Sequence, residues 1–135
     1  MIGVLIVSHG AIGDALLSSA EQILGERRAR VAALGVSRND DPDQVLGRAR
    51  EILARLDQGA GVLVLTDMFG ATPCNIAARL LEDGRIEGVA GVSLPMLVRV
   101  LSGRDGTLQA AVQRALSGGA EGVVHMNTDS CGAKR

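Results

Sequence analysis

The chain contains two histidines, His9 and His125, and the first stands where chemistry is expected. His9 follows the apolar run Ile2 to Val7, inside the turn-like triplet Ser8-His9-Gly10. Asp67 follows a second apolar run, Gly61 to Thr66, and leads into Gly70-Ala71-Thr72-Pro73. An imidazole and a carboxylate brought together have a definite use. A neutral imidazole carries one N–H and one nucleophilic nitrogen, and an acceptor on the N–H fixes both tautomer and ring direction. Asp67 on Nδ1–H would leave Nε2 free to attack phosphorus as a covalent nucleophile. The same carboxylate would stabilise the positive ring that forms. A transferred phosphoryl group also needs its equatorial oxygens stabilised, and helix N-termini supply free N–H groups for that. One helix is expected to start after Gly10 and another at Thr72-Pro73. Gly10 and Gly70 would let backbone approach the phosphate closely. The Gly70-Ala71-Thr72 turn and the Thr72 hydroxyl complete the candidate phosphate-binding set.

For these residues to meet, both apolar runs must be neighbouring strands. Runs of this kind are strands buried on both faces, as in parallel sheets. Val31 to Val36 reads as another strand, and Ile86 to Leu94 contains one, centred on Val89 to Val92. Between them lie helical patterns. Ile12, Leu16, Ala20, Ile23 and Leu24 recur at helical spacing up to Gly25. Asp41-Pro42-Asp43 starts a helix with the stripe Val45, Leu46, Ala49, Ile52, Leu53 and Leu56, stopping before Gly59. Thr72 as N-cap and Pro73 at N1 open a helix carrying Ile76, Ala77, Leu80 and Leu81. Pro95 begins a short helix. A last one carries Leu108, Ala111, Val112 and Ala115 and is closed by Gly118-Gly119. Glu121 to Val124 is open to reading as a short final strand. Such alternation predicts an α/β fold: an open, mainly parallel sheet with helices on both faces. Ligands of these sheets bind beyond the carboxyl ends of the strands, where the strand order switches. If the first and third strands are neighbours, His9 and Asp67 lie on adjacent strand ends.

Taken singly, each residue also has a plainer explanation. A histidine after a strand often merely packs, Asp67 fits a turn acid, and Thr72 is accounted for as an N-cap. The residues alone leave both readings open, and convergence at one sheet edge is what favours a site. Cys74, in the first turn of a helix, reads as small buried filler sooner than as a reactive thiol. Asp14 suits the first turn of the first helix. Met68 and Phe69 form an apolar loop tip that is either core or a partner contact. His125 sits in a polar tail.

Composition narrows the classes. The 135 residues suit one domain, expected over 1–124, with a flexible tail over 125–135. Apolar residues make up 47%, with one Phe and no Trp or Tyr. The core must be aliphatic, and the aromatic platforms that stack single-stranded bases are missing. Net charge is −1 without a basic stripe, so no nucleic-acid partner is expected. The short cluster Arg27, Arg28 and Arg30 reads as a solvated turn. Two cysteines, Cys74 and Cys131, form no metal or redox spacing. No stretch approaches the roughly 20 apolar residues a membrane helix needs, and no secretory leader precedes the first strand. A soluble, cytoplasmic protein with no cofactor and no bound metal is expected.

The opening GVLIVSHGAIGDALLSSAEQILG and the block LVLTDMFGATPCNIAARLL resemble the two signatures of mannose-family IIA domains of the bacterial sugar phosphotransferase system. The likeness covers residues 1 to 124. It implies that His9 is the phosphorylated histidine and Asp67 the acid on its other nitrogen. Thr72 stands where the family commonly has Ser, and Ala71 where it commonly has a second Gly, which narrows access to positive φ. The resemblance implies a phosphotransferase with a phosphohistidine intermediate. Its donor would be HPr or the nitrogen-type HPr. Its acceptor would be a IIB component, or its phosphorylation state would be read by a regulatory target. It further implies a homodimer in which the segment Glu121 to Val124 joins the partner's sheet. No IIB domain follows in this sequence.

Three other chemistries share parts of the pattern. The phosphoryl-relay subunit of dihydroxyacetone kinase has a similar strand-SHG start. Small tetrapyrrole metal chelatases also place a His-Gly turn after a strand, but they need further ligands, and no histidine lies between residues 10 and 124. Histidine phosphatases carry Arg immediately before the nucleophile, where this chain has Ser8. A module that only binds a phosphate or carboxylate ligand would tolerate His9→Gln, whereas a carrier would not.

Overall fold

The apolar runs form a four-stranded, all-parallel sheet in the order β2-β1-β3-β4. The strands are β1 (Gly3–His9), β2 (Val31–Val36), β3 (Val62–Thr66) and β4 (Ile86–Ala90). The computed structural model describes residues 1–128. Among the described residues one α-helix follows each of the first three strands and two follow the last: α1 (Ile12–Leu24), α2 (Pro42–Leu56), α3 (Thr72–Ala78), α4 (Leu94–Leu101) and α5 (Leu108–Glu121).

The period-two alternation of a strand explains how both faces are covered. Leu5 and Val7 of β1 point into one core with Val45, Ala49 and Leu53 of α2 and Ile76 and Ala77 of α3. Val4 and Ile6 point into the opposite core with Ala20 of α1, Leu97 and Val100 of α4, and Ala111 and Ala115 of α5. Leu5, Ile6, Leu63 and Leu97 are fully buried. Truncating any one of these to Ala is expected to cost about 2–5 kcal/mol.

Most helix ends follow local chemistry. Asp41 caps α2 by accepting from the Asp43 N–H, with Pro42 at the first helical position. Ser93 and Thr107 cap α4 and α5 in the same way, accepting from Met96 N–H and Ala110 N–H. Gly25 ends α1 at φ 84.

Several expectations need correction. Thr72 is not the N-cap of α3. Ala71 holds that position in extended conformation (φ −85, ψ 172), Thr72 is already helical, and no side chain caps the helix. Leu80 and Leu81 lie beyond the end of α3. β4 stops at Ala90, where Gly91 turns at φ 89, although Val92 N–H still donates to Thr66 O at 2.8 Å. Ile12 and Ile23 of the expected α1 stripe face outward, because α1 packs through Gly13 and Ala20.

The Gly118-Gly119 pair does not close α5, which runs on to Glu121. Gly118 faces α4 so closely that a β-carbon there would lie 3.1 Å from Arg99 Cβ and 3.2 Å from Met96 Cα. It serves helix packing rather than termination. Glu121 to Val124 is not a strand. Glu121 ends α5, and a single 3-10 turn follows at Met126–Thr128. The rest of the tail, Cys131 included, lies outside the described residues.

Candidate functional site

The chain passes from β1 outward to β2 and then back across β1 to β3, so the order reverses between β1 and β3. The crevice of such a sheet opens at that reversal. Val7 pairs with Thr66 across it, where β3 ends, while β1 runs on to His9. β3 stops two residues short of matching His9, so the last N–H of β1 on that side needs another acceptor. The Asp67 carboxylate supplies it: His9 N–H donates to Oδ2 at 3.0 Å.

The same oxygen lies 2.8 Å from His9 Nδ1. A carboxylate only accepts, so Nδ1 carries the proton and Nε2 has the lone pair. Two bonds from one residue to one oxygen fix both the position and the tilt of the ring. The His9 side chain is 48% exposed and that of Asp67 11%. The acid is thus set into the protein while the ring stands at the surface. Burial alone would raise the Asp67 pKa. The hydrogen bonds from His9 main chain and ring outweigh it and hold the group below the ordinary carboxylate value. Asp67 Oδ1 is buried with no hydrogen-bond partner among the described residues, so the pairing is concentrated on Oδ2.

The candidate phosphate-binding residues follow the carboxyl ends of β1 and β3, Gly10 directly after His9 and Gly70, Ala71 and Thr72 a few residues after Asp67. Gly10 follows His9 at φ 49, and its N–H donates to Val36 O at 3.0 Å. Gly70 turns at φ 85. Ala71 needs no positive φ, so its place in the turn carries no strain. Since Thr72 is not an N-cap, its hydroxyl is not spent on capping α3. The apolar tip is settled as well. Met68 is 61% and Phe69 85% exposed, with Ile12 nearby in sequence to His9 at 46%, so none of them is core.

One contributor is invisible in the sequence. Ser8 is fully buried, and its Oγ accepts from Gly13 N–H at 2.8 Å. It satisfies an orphan donor of α1 from three residues ahead of the Ala11 N-cap position. No local capping pattern has that spacing. Cys74 is half-buried beside Thr66, Phe69 and Leu81 in a cleft of about 150 Å³. The Arg27–Arg30 cluster precedes β2 and so lies at the amino end of the sheet, opposite His9. His125 is exposed near the end of the described chain. Among the described residues no three His, Cys, Asp or Glu side chains are grouped to hold a metal ion, and no helix is long and apolar enough to cross a membrane.

Known proteins resemble the chain in sequence and fold. The chain is 35% identical over 125 residues to the mannose-specific EIIAB component of the phosphotransferase system (PTS) of Escherichia coli K12, covering 90% of this chain and 38% of that protein. It thus spans little more than a third of that relative's length. It is 36% identical over 106 residues to the PTS fructose-specific EIIA component of Bacillus subtilis, covering 78% of this chain and 72% of the relative. The crystal structure of a phosphotransferase system component EIIA from Streptococcus agalactiae superposes with a TM-score of 0.85 at 28% identity, covering 96% of this chain and all of that one. The family model described as "PTS system fructose IIA component" matches residues 3–116, and the chain belongs to that family, the mannose-type EIIA proteins of sugar phosphotransferase systems.

Proposed function

We propose that this chain is a phosphoryl carrier that takes phosphate on His9 Nε2 from HPr or the nitrogen-type HPr. It passes the group to a IIB-type acceptor, or its phosphorylation state is read by a regulatory target. The observation that carries the reading is the 2.8 Å contact between Nδ1 and Asp67 Oδ2, with the ring otherwise half exposed. The lone pair of Nε2 forms the new N–P bond as the donor's bond to phosphorus breaks. No proton has to move, because the Nδ1 proton stays on the ring and is donated to Asp67 Oδ2 throughout. The ring becomes cationic beside a carboxylate, which stabilises the product.

Gly10, Gly70, Ala71 and Thr72 serve as the phosphate cradle in this reading. The first N–H groups of a helix have no partner within it, and both α1 and α3 begin at this edge. Exposed Ile12, Met68 and Phe69 form an apolar rim on which donor and acceptor dock in turn. The chain acts as a homodimer in the cytoplasm, with residues 1–124 as the carrier domain. Exposed Val123, Val124 and Met126, beyond α5, support a second copy covering that end.

The test is direct. Incubated with phosphoenolpyruvate, enzyme I and HPr, the protein gains one phosphoryl mass that is labile in acid. His9→Ala gains none. Labelling of His9→Ala equal to that of the unaltered protein refutes the assignment. Chasing the phosphorylated chain with a IIB protein then separates transfer from a purely regulatory role.

A further inference from the structure

On the side of β1 opposite Asp67, β2 carries a residue without a side chain. Gly35 lies in β2, paired with Ser8, while Val36 pairs with His9. Its backbone is ordinary strand, and it is absent from the positive-φ glycines, so conformational freedom does not explain it. Space does. A β-carbon at Gly35 would fall well inside van der Waals contact with Gly10 O, and 3.1 Å from the Gly10 carbonyl carbon. The obstacle is main chain, which cannot swing away as a flexible side chain would. Gly10, at φ 49, folds its carbonyl over the bare Cα of Gly35 while its N–H donates to Val36 O at 3.0 Å.

We propose that Gly35 is a positioning residue for His9. Its missing side chain lets the Gly10 turn lie flat on β2, and this sets the imidazole where Asp67, just beyond β3, accepts from Nδ1–H. The turn is thus held on two sides, by Val36 O on β2 and by Asp67 Oδ2 just beyond β3. With a methyl at position 35, one of two things gives. Either the Gly10 carbonyl moves and drags the adjoining His9 peptide, or β2 backs away and the Gly10 N–H loses its acceptor. In both cases the ring leaves its place. The consequence for phosphoryl transfer rests on the function proposed above, whereas the ring geometry does not.

The test compares Gly35→Ala with Gly3→Ala in the full chain. A β-carbon at Gly3, at the other end of β1, would lie 2.8 Å from Leu56 O and 3.0 Å from Leu56 Cβ, a similar main-chain clash far from His9. Nitrogen-15 NMR of the imidazole reads the tautomer, and urea unfolding reads stability. Gly35→Ala is expected to lose the Nδ1–H signature and to slow phosphorylation about 100-fold, the scale of a misplacement near 1 Å. Gly3→Ala is expected to lose stability and keep both. A Gly35→Ala protein with an unaltered tautomer overturns the proposal, as does a Gly3→Ala protein that loses it equally.

If Gly35→Ala does not fold, Gly10→Val replaces it. Its β-carbon meets nothing within 4 Å, but a β-branched residue opposes the positive φ. That variant displaces the turn alone, and retention of the native tautomer in it likewise overturns the proposal. Loss of the tautomer in Gly35→Ala, together with an unaltered chain that never takes phosphate, would leave the positioning role standing and refute the carrier.

Discussion

Replacing Asp67 separates orientation of the ring from everything else at the site. In the unaltered chain Oδ2 accepts from Nδ1 at 2.8 Å and from the His9 main-chain N–H at 3.0 Å. A hydrogen bond to a charged group contributes about 1.5–3 kcal/mol, and a neutral one about 0.5–1.5 kcal/mol. Asp67→Ala removes the acceptor, so the Nδ1–H tautomer loses about 1.5–3 kcal/mol of preference. At about 1.4 kcal/mol per tenfold, the tautomer ratio should fall about 10- to 150-fold, and the rate of phosphoryl uptake should fall with the fraction of that tautomer. Asp67→Asn keeps an acceptor oxygen and loses the charge, which places its loss nearer fivefold at about 1 kcal/mol. The graded order, native above Asn above Ala, is the signature of a charge-assisted bond. Imidazole nitrogen-15 NMR measures the tautomer, and quench-flow with phosphorylated HPr measures the rate. Asp67→Ala also takes the acceptor from the His9 main-chain N–H, so unfolding in urea should shift by about 1–3 kcal/mol, and by less in Asp67→Asn. An Asp67→Ala protein that keeps the Nδ1–H tautomer, or takes phosphate at the native rate, would refute the reasoning.

Ser8→Ala should cost about 1–3 kcal/mol, because it leaves the buried Gly13 N–H without its acceptor; a urea midpoint within error of native would contradict this. Met68→Ser with Phe69→Ser should change stability by less than about 0.5 kcal/mol, both side chains being exposed. The same pair should raise the half-saturating concentration of phosphorylated HPr, and an unchanged value would dismiss the docking rim. Acid should destabilise the fold through two carboxyls held below their ordinary value. Asp57 is held there by the Gly59 N–H and then by Arg85. Asp67 is held there by His9 against the opposing effect of burial. Both contributions are complete above the unfolded value near about pH 4 and are lost as pH falls through the lower folded values. Asp57→Asn and Asp67→Asn should each flatten that acid limb in urea titrations between about pH 2 and pH 5.

The pair at the heart of the site was legible because each member immediately follows a buried apolar run. Parallel pairing then brings strand ends together without further information. Thr72 misled because Pro is tolerated throughout the first turn of a helix. Thr-Pro therefore marks a helix start without fixing its register, and Ala71 took the cap position. The double glycine of α5 misled for a different reason. Gly commonly ends helices, but Gly118 answers to the close approach of α4, a tertiary fact. Ser8 and Gly35 went unseen on the same ground. What each does depends on a neighbour that only the folded chain brings near, Gly13 in one case and the Gly10 carbonyl in the other.

The contrast in exposure within the pair suits the proposed carrier, in which transfer would run both ways. A ring buried like Asp67 would be closed to any donor, and a ring on a free loop would have to be oriented at each encounter. Here the half-exposed imidazole hangs from a mostly buried acid, which in turn stands at the end of a strand paired in register with β1. Asp67 is held below the ordinary carboxylate value, so in the proposed carrier the same hydrogen bond would serve the neutral ring before transfer and the cationic ring after it. Its Coulomb attraction would strengthen as the ring became positive, favouring uptake of the phosphoryl group. Solvent beside the half-exposed ring would weaken that attraction and keep a phosphorylated ring from becoming a trap. Moving the acid deeper would strengthen capture and slow release, so the observed depth suits the carrier role proposed above.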